Sequence, residues 1–423
     1  MRQAPALSKI TDDIRGGNCY NSGMNQPNGN SFYGLGIAPN ILDLLDRMKF
    51  TVPTPIQFKA IPIATQGKDL IGVAQTGTGK TLAFGIPLVQ RLAQLPGRGL
   101  ILVPTRELAL QVDETINKIG GSFGMRTAVI IGGASMHLQM QALRKNPRII
   151  IATPGRLLDH LGQSNLRLDD VMILVLDEAD RMLDMGFAPQ IDRIMKYLPR
   201  EKQTMLFSAT LPEKIVRIAA ADMKLPVSVE IAPSGTVAEK LKQELYIIKK
   251  EEKPRLLAKL LDQYHGTVLL FSRTKRGAFR IARGLKSLGF SAADIHSDRS
   301  LAQRREALEG FKSGKYRILV ATDIAARGID VKGIELVINY DLPDDAENYI
   351  HRIGRTGRAG HEGLAISFAT PDQRGEVQSI EKLMRTALPV SRHPAFPTLG
   401  FEAASAAAPP PRRQRPRRNF HRR

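Results

Sequence analysis

The sequence predicts an α/β protein of two unequal domains in tandem, each a parallel sheet flanked by helices, and three observations carry that prediction. Short apolar runs alternate with helical stretches from residue 31 to about 230, a polar stretch at 231–244 breaks the pattern, and the alternation resumes to about 385. Apolar runs bounded by turn residues suit strands buried on both faces of a parallel sheet. In the first stretch these runs are "DLIGVA", "GLILVPT", "TAVIIGG", "RIIIAT", "MILVLDEAD" and "QTMLFSAT". Helices between them are required, because a parallel neighbour is reached only by a crossover. The polar stretch "IAPSGTVAEKLKQE" reads as a linker, and "GTVLLFS", "YRILVATD", "IELVINYD" and "GLAISFA" predict a second, smaller domain over 245–385. Residues 1–30, rich in Asn, Gly and Ser, read as a flexible leader. Residues 386–423 read as a low-complexity basic tail, since "AASAAAPPPRRQRPRRNFHRR" at 403–423 has seven arginines and too few apolar groups to bury a core.

The totals narrow the function. The net charge of +20, from 61 Lys and Arg against 41 Asp and Glu, favours a polyanionic partner such as nucleic acid. Cys19 is the single cysteine, so no intramolecular disulfide and no cysteine-based zinc site can form. No apolar stretch approaches the ~18 residues that span a bilayer, and no signal-peptide core opens the chain. A cytoplasmic location is the expectation.

Two stretches carry the chemistry. In "DLIGVAQTGTGKTLAFGIPLV" (69–89) a strand runs into a glycine-rich turn and then a helix. Gly77 and Gly79 let several backbone N–H groups face one anion at the helix start. Lys80 adds a point charge for β and γ phosphates, and the Thr81 hydroxyl is a ligand for Mg²⁺. The general phosphate-loop pattern fails at its first position, which is Ala74. Nearly a hundred residues on, "LVLDEADRML" ends an apolar strand in Asp177, Glu178 and Asp180. By itself this is either a solvated strand end or half of a metal site, and the phosphate loop selects the metal site. Asp177 then holds Mg²⁺ and Glu178 orients and deprotonates the attacking water. Asp180 is better placed to signal than to ligate.

With these residues in place the chain resembles the DEAD-box ATP-dependent RNA helicases of superfamily 2, over about 31–385. "FTVPTPIQ" (50–57) resembles the Q motif, with Phe32 upstream, and "AQTGTGKT" (74–81) is the family's own phosphate loop. "PTRELA" (104–109), "GG" (132–133), "TPGR" (153–156), "DEAD" (177–180) and "SAT" (208–210) follow in order. "LLFSRT" (269–274), "ATDIAARGID" (321–330) and "HRIGRTGR" (351–358) complete the set. The resemblance implies two tandem RecA-like domains that bind ATP and Mg²⁺. Gln57 offers an amide donor and acceptor matched to the adenine edge, and Phe32 is either a stacking partner for that base or an ordinary core aromatic. The loop residues Ala74, Gln75, Thr76, Gly77, Thr78, Gly79, Lys80 and Thr81 would hold the phosphates, and Asp330 the ribose. Arg355 and Arg358, in a series three apart with Arg352, would act as arginine fingers, a contribution of ~10³–10⁵ in rate; a structural cluster or a phosphate clamp is the other reading. Asp180, Ser208, Thr210 and His351 would couple nucleotide state to strand separation.

The RNA partner is implied along the strand backbone by Thr105, Arg106, Gly133, Thr153, Gly155 and Arg156, and in the second half by Arg273, Thr322 and Gly328. Hydroxyls, arginines and the N–H groups of glycines recognise phosphate and sugar without reading bases, and 2′-hydroxyl contacts select RNA over DNA. The expected activity is RNA-stimulated ATP hydrolysis that drives local duplex unwinding or remodelling of RNA–protein complexes, with an ATP-gated RNA clamp as the alternative. Ribosomal or RNA-degradation assemblies are the expected partners, and the subgroup most resembled is the bacterial RhlE type. Two positions depart from the family: Leu301 stands where glutamine is frequent three residues before Arg304, and Lys49 replaces the usual glycine before Phe50.

Overall fold

The computed structural model describes residues 31–75, 77–231, 241–326, 331, 333–357, 363–396 and 399–401. The predicted leader, most of the predicted linker and the arginine-rich 403–423 lie outside the described residues. The first sheet holds β1 (Leu70–Val73), β2 (Arg98–Leu102), β3 (Thr127–Ile130), β4 (Ile149–Ala152), β5 (Val171–Leu176), β6 (Gln203–Ser208) and β7 (Val227–Glu230). Their order is β3-β4-β2-β5-β6-β1-β7, and the pairings are parallel.

The side-chain period of two explains why these runs are apolar throughout. Along β5, Ile173 and Val175 enter one core cluster while Leu174 and Leu176 enter another. The first cluster is closed by Ile56 and Ile61 of helix Pro55–Thr65, Phe84 and Val89 of helix Lys80–Leu92, and Ile116 of helix Arg106–Gly120. The second is closed by Leu157 of helix Pro154–Gly162, Met182 of helix Ala179–Asp184 and Ile191 of helix Ala188–Met195. A sheet covered on both faces needs both residue sets apolar. The register pairs Val73 with Ser208 and Leu102 with Leu176, so the loops that follow β1, β6, β2 and β5 emerge at one edge.

The second sheet holds β8 (Leu241–Ile247), β9 (Val268–Phe271), β10 (Ala292–Ile295), β11 (Ile318–Ala321), β12 (Leu336–Asn339) and β13 (Gly363–Ala369) in the order β10-β11-β9-β12-β13-β8. The ten strands expected from apolar runs are all present. Three more, β7, β8 and β10, were not expected. β8 begins at Leu241, inside the stretch read as linker; its Leu241, Leu245, Tyr246 and Ile247 are buried along β13 despite the charges between them. β10 is "AADI", poor in β-formers, and its buried Asp294 is held by Arg299 through Nε and Nη2 at 2.7 Å each. The start of the predicted tail also differs. Residues 388–391 run beside β8, with Leu245 N–H donating to Pro389 O and Ser391 N–H to Leu245 O, both at 2.8 Å. Burial of Leu388 and Phe396 accounts for that order.

The structure also explains the departure at Lys49. Helix Pro39–Arg47 ends with Lys49 N–H donating to Asp46 O and Phe50 N–H to Leu45 O, at 2.9 Å each. This is a Schellman closure, and it puts Lys49 in the left-handed region at φ 60°. Glycine adopts that conformation without a Cβ clash, whereas an L residue is strained by ~1–2 kcal/mol. Lys49→Gly is therefore expected to stabilise the protein by about 1 kcal/mol, seen as a higher urea midpoint; an unchanged or lower midpoint would count against the strain.

Candidate active site

The phosphate loop leaves the sheet at Val73. Ala74 N–H donates to Ser208 O at 2.9 Å, which ties the loop's first residue to the end of β6. Gly77 and Gly79 adopt φ of 86° and 88°, and helix Lys80–Leu92 starts immediately after. These two glycines are required by the curl that turns successive N–H groups inward. Lys80 is buried, and its Nζ donates to Ala74 O at 3.0 Å, so the ammonium lies folded across the mouth of its own loop. Thr78 Oγ1 donates to Gln75 O at 2.7 Å, and Thr81 is half-buried on the first turn of the helix. Thr76 lies outside the described residues.

Gln57 sits behind this loop. Its Oε1 accepts from Thr54 N–H at 2.9 Å, one half of a capping box, and its Nε2 donates to Gly79 O at 3.0 Å. A Cβ at Gly79 would collide with that amide. Gln57 therefore braces the phosphate loop, a role the spacing alone did not reveal. Each end of the amide keeps one hydrogen-bonding capacity for a base. Phe32 lies in the first core cluster at 3% exposure, packed as a core aromatic.

The three acids of the knot sit in three different environments. Asp177 is buried at the end of β5, and its Oδ1 accepts from Glu178 N–H at 2.9 Å. Burial pushes its carboxyl up to about 7, against the pull of the Lys80 ammonium. Glu178 has φ 52°, a left-handed conformation that costs a non-glycine residue ~1–3 kcal/mol and tends to persist at functional sites. Its Oε2 accepts from Arg181 Nη1 at 2.7 Å in a pair that is 3% and 4% exposed. The sequence reading gave Glu178 the water and did not single out Arg181, which fixes the carboxylate; the i,i+3 spacing on one helical turn is the signal that was available.

Asp180 faces the other way. Its Oδ2 accepts from Ala209 N–H at 2.9 Å, Thr210 N–H at 3.0 Å and Thr210 Oγ1 at 3.3 Å, while its own N–H donates to Ser208 Oγ at 3.2 Å. The structure thus brings Asp180, Ser208 and Thr210 into one network, joined to the phosphate loop through the Ala74 contact with Ser208.

At the same carboxyl edge of the first sheet, the residues expected to meet RNA gather after β2, β3 and β4. Thr105 caps helix Arg106–Gly120 by accepting from Leu108 N–H at 3.3 Å. The Arg106 guanidinium lies against Gly132 and Gly133, where a Cβ on Gly133, at φ 75°, would collide with it. Arg156 donates to Ala134 O at 3.0 Å and pairs with Asp159 at 3.3 Å. Thr153, the N-cap of helix Pro154–Gly162, and Gly155 stand beside it. Ligands of open parallel sheets bind outside the carboxyl ends of the strands, and both residue sets obey that rule.

The second sheet, taken alone, places Arg273 just beyond β9. Its N–H donates to Asp341 Oδ2 and its Nη2 to Leu342 O, both at 3.1 Å. Thr322 follows β11, with its N–H donating to Ile295 O at 3.4 Å. Of the arginines three apart, Arg352 is structural: it is buried, donates to Asn339 Oδ1 at 3.1 Å and Asp341 O at 2.6 Å, and stacks 4.9 Å from the Phe271 centroid. His351 is half-buried on helix Ala346–Ile353, and Arg355 is buried just past its end. Gly328, Asp330 and Arg358 lie outside the described residues.

Comparison with known proteins agrees with this arrangement. The model for DEAD/DEAH box helicases matches residues 54–218, and that for the helicase conserved C-terminal domain matches 252–360. ATP-dependent RNA helicase CshA of Listeria monocytogenes is 45% identical over 354 residues, 83% of this chain and 68% of that protein. ATP-dependent rRNA helicase RRP3 of Debaryomyces hansenii is 44% identical over 369 residues, 86% and 77% of the respective chains. Among solved structures, S. cerevisiae Dbp5 bound to RNA and ADP BeF3 aligns with a TM-score of 0.76 at 31% identity, over 85% of this chain and 96% of that one. Mss116p bound to ssRNA and AMP-PNP aligns with a TM-score of 0.77 at 30% identity, over 85% and 78%. Matches of this extent, from Thr54 in the glutamine's capping box to the arginine series, make the chain a member of the DEAD-box family of ATP-dependent RNA helicases.

Proposed function

We propose that the protein couples RNA-stimulated ATP hydrolysis to local, sequence-nonspecific unwinding of RNA duplexes or remodelling of RNA–protein complexes. The observation that carries this reading is the Asp180 network, which makes the acid knot, the 208–210 segment and the phosphate loop one hydrogen-bonded unit. A change at the phosphate is thereby felt at a segment that does no chemistry itself. Lys80 and the loop amides bind the triphosphate, Asp177 and Thr81 hold Mg²⁺, and Glu178, oriented by Arg181, positions the attacking water. Mg²⁺ neutralises phosphate charge when bound. The donor set fits that ion: Asp177 offers one buried carboxylate and Thr81 one hydroxyl on the first turn after the phosphate loop, and Mg²⁺ is typically held by one or two carboxylates plus substrate phosphates. Arg355 and Arg358 supply further charge to the phosphate, Asp330 holds the ribose, and His351 relays nucleotide state.

Arg106, Arg156 and Gly133, with Thr105, Thr153 and Gly155, follow the RNA backbone on the first sheet, as Arg273, Thr322 and Gly328 do on the second. Relatives named as rRNA helicases support a ribosomal RNA substrate and a role in ribosome assembly or RNA turnover. Among the described residues no helix is long and apolar enough to cross a membrane, and a cytoplasmic location suits such a substrate. "DIAARGIDV" and "YIHRIGRTGRAG" support the RhlE-type subgroup, although the relatives quoted above bear CshA and RRP3 names. The test compares ATPase stimulation by RNA and by DNA of the same sequence, alongside strand displacement. RNA is expected to stimulate and DNA to fail. Equal stimulation, or RNA retention without any displacement, would sink the unwinding assignment.

A further inference from the structure

Helix Lys275–Ser287 carries five basic residues, Lys275, Arg276, Arg280, Arg283 and Lys286, and no acidic one. Its buried side is Ala278, Ala282 and Leu285. On the exposed side Arg276, Arg280, Arg283 and Lys286 succeed one another at helical spacing and form a stripe. Three other helices pair an exposed cation with an acid of their own, Lys118–Glu114, Arg217–Glu213 and Arg305–Glu309. Here Lys275 pairs with Asp298 at 2.7 Å, and among the described residues the four stripe cations have no carboxylate within ion-pair distance.

An aromatic ring sits within the stripe. Phe279 is 43% exposed, and the Arg299 guanidinium stands 5.5 Å from its centroid. Arg299 is itself fixed by its two hydrogen bonds to Asp294. A pinned, exposed ring among cations is the composition of a sequence-tolerant base platform, where stacking and phosphate contacts act together. The helix begins two residues after Arg273 in the chain, and its thirteen residues span about 20 Å.

We propose that this stripe is an accessory RNA-backbone site: Arg276, Arg280, Arg283 and Lys286 take the phosphates of RNA that continues beyond the strand held near Arg273, and Phe279 stacks one of its bases. The inference rests on the RNA-helicase reading and adds a second grip outside the family motifs. RNA is the occupant favoured over an acidic protein surface, because the stripe follows Arg273, proposed above to meet RNA, within a few residues of chain and combines uncompensated cations with an exposed ring.

The test uses the full chain carrying Arg276→Ala, Arg280→Ala and Arg283→Ala together, the same three positions changed to Lys, and Phe279→Ala alone. Affinity is measured against salt for a short single strand and for that strand extended at either end. The triple Ala variant is expected to bind extended RNA about tenfold or more weakly, with a salt slope smaller by about 2, from three lost phosphate contacts at ~0.7 each. Its binding of the short strand, and the ATPase that strand stimulates, should change less than twofold. The Lys variant should keep the slope, and Phe279→Ala should weaken extended-RNA binding without altering it. If the Ala variant lowers affinity for both RNAs equally or for neither, the accessory site falls, including where the stripe proves to capture an acidic protein instead. Failure of the underlying reading looks different: the unaltered chain would show no ATPase stimulation by the short strand.

Discussion

Glu178→Gln is expected to slow ATP hydrolysis by the RNA-bound protein ~10²–10⁴-fold, the usual contribution of a positioned general base, while ATP binding changes only a few fold. The glutamine keeps the length and shape of the side chain and can still accept from Arg181, so the backbone at φ 52° has no new reason to move. What it loses is charge and the capacity to take a proton. The substitution also leaves a guanidinium that is 3% exposed without a counter-charge, and a stability loss of about 3 kcal/mol is expected with it. Arg181→Gln separates the two effects. It strands the Glu178 charge at a similar cost in stability but retains the base, and its hydrolysis is expected to fall only about tenfold. Single-turnover hydrolysis per folded molecule, read below the melting range of all three proteins, makes the comparison. Hydrolysis within tenfold of the parent in the glutamine variant would remove Glu178 from the chemical step.

The strands were legible wherever burial on both faces forced an unbroken apolar run. They were illegible where other forces supplied the stability. β10 has two alanines and an aspartate, and nothing in "AADI" says that Arg299 will neutralise the acid. β8 buries Leu241 and the run Leu245, Tyr246 and Ile247, but Lys242 and Glu244 stand between them, and those charges made the stretch read as linker. The site shows the same division. Spacing located the phosphate loop and the acid knot, because chemistry fixes residue type there. It did not show that Gln57 braces Gly79, since a side chain reaching a backbone carbonyl leaves no compositional trace at the receiving end. Periodicity alone also does not separate the arginine series: Arg352 shares the spacing of Arg355 and Arg358, yet it is buried against Phe271 and supports the fold.

Asp180→Asn is expected to lower stability by about 2–3 kcal/mol and to reduce strand displacement per ATP more than tenfold, with hydrolysis itself less affected. The reason is the number of donors the carboxylate serves. Oδ2 accepts from Ala209 N–H, Thr210 N–H and the Thr210 hydroxyl, and Oδ1 accepts from Arg181 N–H at 2.9 Å. An asparagine has a single carbonyl, so either orientation sets an NH₂ against a backbone N–H. With the carbonyl toward Ala209 and Thr210, the Arg181 N–H is left without an acceptor at the start of a buried helix, at ~1–3 kcal/mol. With the carbonyl toward Arg181, the link to the 208–210 segment is gone. Retaining the link therefore means weakening the helix that positions Arg181 against Glu178. Ser208→Ala, which removes only the 3.2 Å contact from the Asp180 N–H, should have a smaller effect on both measures. Duplex displaced per ATP hydrolysed, measured beside the urea midpoint, reads the two consequences separately. If displacement and hydrolysis fall together with their ratio held, Asp180 supports the fold alone, and the route from nucleotide to strand must run elsewhere.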